Sequence, residues 1–528
     1  MSKPSEFGED WFKFYTGLPE DEYFSFPNTD ETLGEIAAQT ESRYPLRKIS
    51  DKLFFSEEQR PNIHIIGSSR QGKSRFIEWL IRSDINRGLG CCLLDPTAGG
   101  ETALRTLAYC AEKSLPNVLY VDLDHAYSPY KKLLGLQPFK YDEEGQPAPR
   151  LRQRSIDILM GTVRALYGVK DPTVQSNIER YLPAVFAALY DNQMPLRDAE
   201  VFSSKEYVAQ QKELLAFTDS ASRAVLSDAF RSSLIYGNFQ STINRLIRFY
   251  RGRVGQMFSA ERGVNFFKLI REHWIVIVRL DNIDTFDARL LGTYFITELE
   301  KAKTRLNQIF DERSDLKDRG KYRPYYVYAD EAYMFASQAL KDTLDLRQKS
   351  NFKVTLAHHT ASQFTDPAVY DSIKTNCDMT VEFYTRSRKD RDEMAGEMYG
   401  GDIDPKDASY ANSNLPKQTA VIKFGKRAPV RVRIPDVATP KVSAQKLLEY
   451  TQELYRRGTD LGWYYDSDKL TEPTYETGDN RKAARDRAED DRPTNNKAAR
   501  PGRAAGAQKW QVLPEDLSGR KRPAKKDG

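Results

Sequence analysis

Gly67-Ser68-Ser69-Arg70-Gln71-Gly72-Lys73-Ser74 fits the pattern G-x-x-x-x-G-K-S at every fixed position. The pattern has a mechanical reason. Its glycines let the backbone wrap closely around an anion, so that loop N–H groups and the N-terminus of the following helix converge on phosphate oxygens. The ammonium of Lys73 is at the reach of β- and γ-phosphates, and the hydroxyl of Ser74 is a ligand for Mg²⁺. The surroundings are the ones such a loop requires. Ile63-His64-Ile65-Ile66 in front of it is a short buried strand, and residues 74–86 behind it carry Phe76, Ile77, Leu80 and Ile81 on one helical face. Residues 67–74 and the adjoining Arg75 are therefore the expected nucleotide contacts, with ATP and Mg²⁺ as the expected ligands.

Such a site needs carboxylates as well. Tyr325-Tyr326-Val327-Tyr328-Ala329 is an apolar strand that ends on Asp330-Glu331. A carboxylate at that end of a parallel strand faces the ligand crevice. Asp330 is expected to hold Mg²⁺, directly or through water, and Glu331 to align and deprotonate the attacking water. This pair suits hydrolysis of ATP better than passive binding. Asp95, at the end of the apolar run Cys91-Cys92-Leu93-Leu94, has two readings: it positions metal or water, or it caps a turn at the strand end.

Outward from the loop, strand and helix alternate. Apolar runs at 63–66, 91–94 and 118–122 are separated by helices over 74–86 and about 101–113, a parallel α/β pattern. From about Ser155 to Phe267 the period becomes helical, as in Ile156, Leu159, Met160, Val163 and Leu166. Strands resume at Trp274–Val278, then at 325–329, 352–356 and 379–384, and Thr419 to Ile434 reads as a hairpin turning at Gly425-Lys426-Arg427. The fold class expected is α/β: a P-loop NTPase with a largely parallel RecA-like sheet, an inserted all-helical domain and a disordered C-terminal tail. The boundaries read as a lead-in segment at 1–50, the ATPase domain at 51–150 and 271–440, the insertion at 151–270, a C-terminal helix at 441–465 and a polar tail at 466–528. The last part of that tail, residues 497–528, holds nine Lys or Arg against three Asp or Glu. Solvated disorder and contact with nucleic acid or a partner both account for it.

The bulk numbers set bounds on function. A net charge of +5, from 80 basic and 75 acidic residues in 528, identifies no nucleic-acid binder by itself; the placement of the charge matters more. Cys91, Cys92, Cys110 and Cys377 have neither zinc-site nor disulfide-framework spacing and read as buried thiols in a reducing compartment. No apolar run approaches the roughly 20 residues needed to span a bilayer, and the first residues carry no apolar signal segment. The expectation is a cytoplasmic protein with no direct membrane span, any membrane contact going through a partner.

Taken together, Asn62–Ile66 before the loop, Leu93-Leu94-Asp95-Pro96-Thr97 after the first helix, Tyr328–Phe335 and Leu346–Val354 resemble the DNA-pumping ATPases of the HerA–FtsK group. Within that group the chain is most similar to the conjugative coupling proteins of type IV secretion systems, which share the helical insertion between the two halves of the site. The resemblance covers about residues 50–440. It implies a ring, usually a hexamer, with ATP at the subunit junctions and DNA moving through a central channel. Two departures stand out. The family ordinarily has N-terminal transmembrane helices, and it has a glutamine after the sensor strand where this chain reads Ala357-His358-His359-Thr360. A neutral histidine donates one hydrogen bond and accepts another, so His359 is expected in a sensor role, with packing behind the site as the alternative and no zinc site predicted.

A ring also needs an arginine donated from the neighbouring subunit. Arg386 and Arg388 are the candidates, with Arg347 a third, and a solvated loop explains them equally. Arg245, Arg248, Arg251 and Arg253 form a basic run at the end of the insertion, readable as a DNA surface or as a solvated helix end. The function expected is an ATP-driven DNA translocase of a conjugation-like, mobile-element or packaging system, with membrane or relaxase-type proteins as further partners. Two alternatives remain: an ATPase that moves protein cargo or drives assembly in a secretion machine, and a slow nucleotide switch, against which Glu331 argues.

Overall fold

The apolar runs form strands because their residues are buried on both faces, as the middle of a parallel sheet requires. In the computed structural model the described residues are 60–466, apart from 124–130, 140–147, 168–171, 232, 261, 313–322, 347–349, 400–408, 410–411, 427–428 and 435. The expected lead-in segment and polar tail thus lie almost wholly outside the described residues. In chain order, β1 (Ile63–Ile66) leads into α1 (Lys73–Asn86), and β2 (Cys91–Asp95) into α2 (Glu101–Glu112). β3 (Val118–Val121) and a short β4 (Lys132–Leu134) precede the helical insertion.

The insertion contains α3 (Ala148–Tyr167), α4 (Pro172–Asp191), α5 (Val208–Phe217), α6 (Ser220–Ala229) and α7 (Ser233–Ile243), followed by shorter turns of helix up to Arg271. The sheet resumes with β5 (Ile275–Arg279), then α8 (Thr285–Glu312), β6 (Tyr325–Ala329), α9 (Gln338–Leu346) and β7 (Phe352–His358). α10 (Pro367–Asn376), β8 (Met379–Phe383), α11 (Arg388–Tyr399), β9 (Thr419–Phe424), β10 (Val430–Arg433), α12 (Ala444–Asp460) and β11 (Tyr464–Asp466) complete the chain.

Among the described residues one nine-stranded sheet has the order β10-β9-β8-β1-β7-β6-β2-β5-β3. The strands from β8 to β3 are parallel, and β9 and β10 add an antiparallel edge. This is the mixed α/β fold with a largely parallel sheet and an inserted helical region that the strand–helix alternation implies. The order decides where the chemistry sits. β1, which feeds the phosphate-binding loop, is separated from β6, which ends at Asp330, by one strand only. That strand, β7, ends in the paired histidines. Ile66 pairs with His358 and Ala329 with Leu356, so β6 ends two residues short of the level at which β1 and β7 end, and Asp330-Glu331 follow at that level.

A buried polar tie links β6 to α1. Arg60, Asp84 and the Tyr328 hydroxyl bond to one another in the core, and Arg60 lies over the Tyr326 ring at 4.0 Å. Tyr328 is two residues before Asp330, so this network fixes the strand that presents the carboxylates.

Several boundaries differ from the pattern reading. The strand expected at Trp274–Val278 runs Ile275–Arg279. The C-terminal helix stops at Asp460, short of 465, because the chain turns at Gly462 (φ 70), where Gly462 N–H donates to Thr459 O and Trp463 N–H to Gly458 O. Beyond that turn the chain forms β11, paired antiparallel with β4. These three-residue strands are too short to show alternation. Tyr464 donates its hydroxyl to Tyr120 O at 2.6 Å and Tyr450 to Leu115 O at 2.8 Å, so the C-terminal segment covers the β3 edge.

Candidate active site

The glycine loop is held from both neighbouring strands. Gly67 N–H donates to His358 O at 3.3 Å and Ser68 N–H to Tyr384 O at 2.8 Å, extending the β1 ladder into the loop. A Cβ on Gly67 would lie 2.6 Å from Phe383 Cβ, so only glycine lets β1 and β8 approach so closely. Gly72 has φ +121, and a side chain there would also press on Gln418 Cα at 3.2 Å. Directly after it α1 begins, its N-terminal N–H groups turned to the loop; Phe76 N–H, the first to find a helical partner, donates to Gly72 O at 3.0 Å.

Side chains that are far apart in sequence meet at this point. Ser74 Oγ donates to Asp330 Oδ2 at 2.9 Å. Lys73 Nζ donates to Gly67 O at 2.6 Å and Ser68 O at 3.2 Å, and lies 2.9 Å from His359 Nδ1. His359 Nε2 lies 2.6 Å from Glu331 Oε1, with Ser69 Oγ at 3.4 Å from the same nitrogen. Glu331 takes the left-handed conformation, φ 53 and ψ 50, which turns the chain sharply at the strand end.

The electrostatics follow from burial and from these contacts. Asp330 is fully buried, and burial, with Asp95 nearby, pushes its carboxyl up to about 6 against the pull of Ser74 and Lys73. Burial pushes the Lys73 ammonium down, while Asp330 and Glu331 act the other way. The hydrogen bond with Glu331 raises the His359 imidazole above its ordinary value. The two adjacent histidines separate completely. His358 turns into the core, stacks on His64 at 5.0 Å with Nε2 atoms 2.7 Å apart, and is held neutral by burial.

Around these groups lies a cleft of about 850 Å³. Ser69, Arg70, Gly72, Lys73, Ser74 and Arg75 from the loop line it, together with Asp330, Glu331 and His359. Ser68 faces the other way: its Oγ accepts from Arg386 N–H at 3.0 Å. Gln71 meets the chain leading into β9 instead, its carbonyl accepting from Gln418 N–H at 2.8 Å. Arg75 is engaged by Glu78 at 3.0 Å and Glu101 at 3.2 Å.

Asp95 takes the capping role of its two readings. Oδ1 accepts from Thr97 N–H at 3.0 Å and Oδ2 from Ala103 N–H at 2.9 Å, so both oxygens serve the turn into α2. Arg386 and Arg388 are exposed and do not line this cleft; Arg388 Nε is 3.7 Å from Asp392. Arg347 lies outside the described residues. Two of the four arginines of the basic run pair with acids, Arg248 with Asp284 at 3.0 Å and Arg251 with Glu200 at 2.9 Å, and Arg253 donates to Leu123 O. Arg245, in the turn after α7, bonds back to Ser241 O of that helix.

Two walls of the cleft have no motif in the sequence. Lys417 and Gln418 form one with Asp436, Val437 and Thr439. Arg105 on α2 forms the other; it grips buried Glu78 with two bonds of 2.9 and 2.8 Å and donates to Val437 O at 3.0 Å. No sequence signal pointed to it, because Glu78 sits on the polar face of α1 beside Arg75 and Arg82. Among the described residues no three His, Cys, Asp or Glu side chains are grouped to hold a metal ion, no helix is long and apolar enough to cross a membrane, and all four cysteines are free and buried.

No protein-family model matches the chain, and no curated protein matches it in sequence. Solved structures do. The unbound bacterial conjugative coupling protein TrwBdeltaN70 superposes with a TM-score of 0.56 at 12% identity, over 79% of this chain and 95% of that one. The plasmid coupling protein TrwB in complex with ADP and Mg²⁺ gives 0.55 at 12% identity, over 77% and 94%. The same protein with the non-hydrolysable ATP analogue ADPNP gives 0.53 at 14% identity, over 72% and 87%. Identities this low speak for architecture alone, and at that level the result is plain: the chain has the α/β fold of these conjugative coupling proteins.

Proposed function

We propose that the chain hydrolyses ATP as the motor of a DNA-translocating machine of the conjugation, mobile-element or packaging kind. The observation that carries the ATPase reading is the 2.9 Å contact between Ser74 Oγ and Asp330 Oδ2, with Glu331 beside it and Lys73 at the loop. A buried carboxylate whose proton affinity is raised by burial, set against a hydroxyl, is a pair of hard oxygen donors that suits Mg²⁺. Ser74 and Asp330 would hold that ion, and when bound it supplies charge neutralisation on the β- and γ-oxygens.

The remaining work falls to the protein. Loop N–H groups and Lys73 orient the phosphates. Glu331 takes the proton from the attacking water through Oε2, which is buried and has no hydrogen-bond partner among the described residues. The plasmid coupling protein that shares the fold has been solved with ADP and Mg²⁺, which supports ATP and Mg²⁺ as ligands here. A homo-hexamer is the proposed assembly, with Arg386 or Arg388 reaching the phosphates of the next subunit from its exposed loop, and relaxase-type or membrane proteins as partners.

One observation favours a second reading. Arg248 and Arg251, half of the basic run, are tied to Asp284 and Glu200, an arrangement that suits a motor for protein cargo, which need not grip phosphates. ATP turnover measured with and without single- and double-stranded DNA tests the choice. Stimulation by DNA supports the translocase. Turnover that is indifferent to DNA and rises only with a partner protein overturns it in favour of the second reading.

A further inference from the structure

Lys73 carries three N–H donors, and each has a partner inside the protein: Gly67 O, Ser68 O and His359 Nδ1. In that arrangement the ammonium has nothing left to give a phosphate. The same imidazole reaches Glu331 through its other nitrogen, so the carboxylate expected to take a proton from water commits one oxygen to a neighbour. One ring therefore touches both groups on which hydrolysis depends.

Gly67 O also lies 3.1 Å from Nδ1, where it would accept from a protonated ring; with the ring neutral, one scheme serves Lys73 and Glu331. Lys73 donates to the Nδ1 lone pair, Nε2–H donates to the Glu331 carboxylate, and the ring is neutral between a cation and an anion. The ring's own backbone is anchored. His359 N–H and Thr360 N–H both donate to Gln363 Oε1, at 2.9 and 3.0 Å. Its position is thus set by a turn that does not belong to the loop or to β6.

We propose that His359 is a latch: it holds Lys73 and Glu331 together in an idle arrangement and lets go of both when the γ-phosphate of ATP takes Lys73. This rests on the ATPase reading and adds a regulatory step to it. A γ-phosphate is a better partner for the ammonium than a neutral ring nitrogen or a carbonyl, because the contact is between full charges. With Lys73 withdrawn, Nδ1 is an unfilled acceptor beside a carboxylate and a polyanion. The ring then binds a proton more readily, both its nitrogens donate, and one of them is free to turn to the phosphate. The groups that set this balance are Glu331 from the end of β6, Lys73 from α1 and the Gly67 carbonyl of the loop, with neutral His358 adjacent on β7. A glutamine at this position would donate and accept in the same way, but it takes up no proton.

The test uses the full chain and its His359→Ala and His359→Gln variants. Binding of a fluorescent non-hydrolysable ATP analogue and of ADP is measured between pH 6 and 9, with steady-state kcat and KM alongside. His359→Ala removes the competitor for Lys73, so the analogue binds about three- to tenfold more tightly, while kcat falls roughly tenfold or more. In the parent, affinity for the analogue falls as pH rises through the raised imidazole pKa. His359→Gln abolishes that dependence and recovers most of the lost kcat.

A folded His359→Ala protein that binds the analogue no more tightly than the parent overturns the latch, and so does a parent whose affinity is flat with pH. If His359→Ala does not fold, the pH comparison between parent and His359→Gln decides alone. Failure of the latch is distinguishable from failure of the ATPase reading. A parent that neither binds nor hydrolyses ATP removes the ATPase reading itself, whereas an active ATPase with unchanged binding in His359→Ala removes only the latch.

Discussion

Replacing Glu382 by glutamine should flatten the pH dependence of stability. Glu382 lies on β8 with its side chain fully buried, one strand from the loop, where its backbone pairs with Ile66. Its Oε2 accepts from Asn412 Nδ2 at 2.7 Å, and Oε1 has no partner among the described residues. Burial pushes the carboxyl from 4.5 up to about 8, with the Asn412 bond and Arg391 pulling the other way and Asp390 and Glu397 adding to the rise. The folded protein therefore keeps a proton that the unfolded chain, with an ordinary glutamate, has released. The stability this group contributes is complete below pH 4.5 and is lost as pH rises through about 8. At about 1.4 kcal/mol per unit, the loss between pH 6 and pH 8 is roughly 2 kcal/mol. Glutamine accepts the same bond from Asn412 and does not titrate. Denaturant unfolding of parent and variant at pH 6, 7 and 8 reads the difference, since every other titrating group is common to both. Parallel stability curves would overturn this expectation, for they would mean that Glu382 ionises in the fold as it does in the open chain.

Asp84→Ala leaves the Arg60 guanidinium and the Tyr328 hydroxyl buried without their shared partner. It should cost about 3–5 kcal/mol, seen as a lower unfolding midpoint together with weakened Mg²⁺-dependent turnover as β6 loosens. Gly67→Ala forces a methyl against Phe383 at 2.6 Å; a loss of about 1–3 kcal/mol and of nucleotide binding is expected. Phe383→Ala in the same chain should restore part of the binding, and no restoration would show that the clash is not the cause.

How far the sequence carried the site depended on whether its parts are local. Gly67–Ser74 and Asp330-Glu331 are contiguous, and the apolar runs before them state the strand and its end, so the Lys73, Ser74 and Asp330 cluster was legible before any fold was known. The sheet order was not. Nothing in Phe352–His358 says that this strand lies between β1 and β6, and that is what brings His359 against Lys73 and Glu331. The far walls of the cleft, Gln418 and Asp436–Thr439, come from loops with no period to read. Gln418 is held at φ 60 by bonds to Gln71 and Ile434 that only the assembled sheet supplies. Asp95 was ambiguous for a related reason, since a cap and a metal ligand ask for the same residue at the same strand end. The β4–β11 pair was invisible because three residues cannot show alternation.

Lys73 and Glu331 are proposed to serve one ATP-hydrolysing site in different ways, and paired binding and turnover measurements on two variants are the sharpest test. Lys73→Ala should lose nucleotide binding and turnover together. Glu331→Gln keeps the shape and leaves Ser74 and Asp330 in place, so it should bind ATP with Mg²⁺ about as the parent does while turnover falls by roughly 10²-fold or more. A Glu331→Gln protein that hydrolyses ATP at the parent's rate would contradict that assignment.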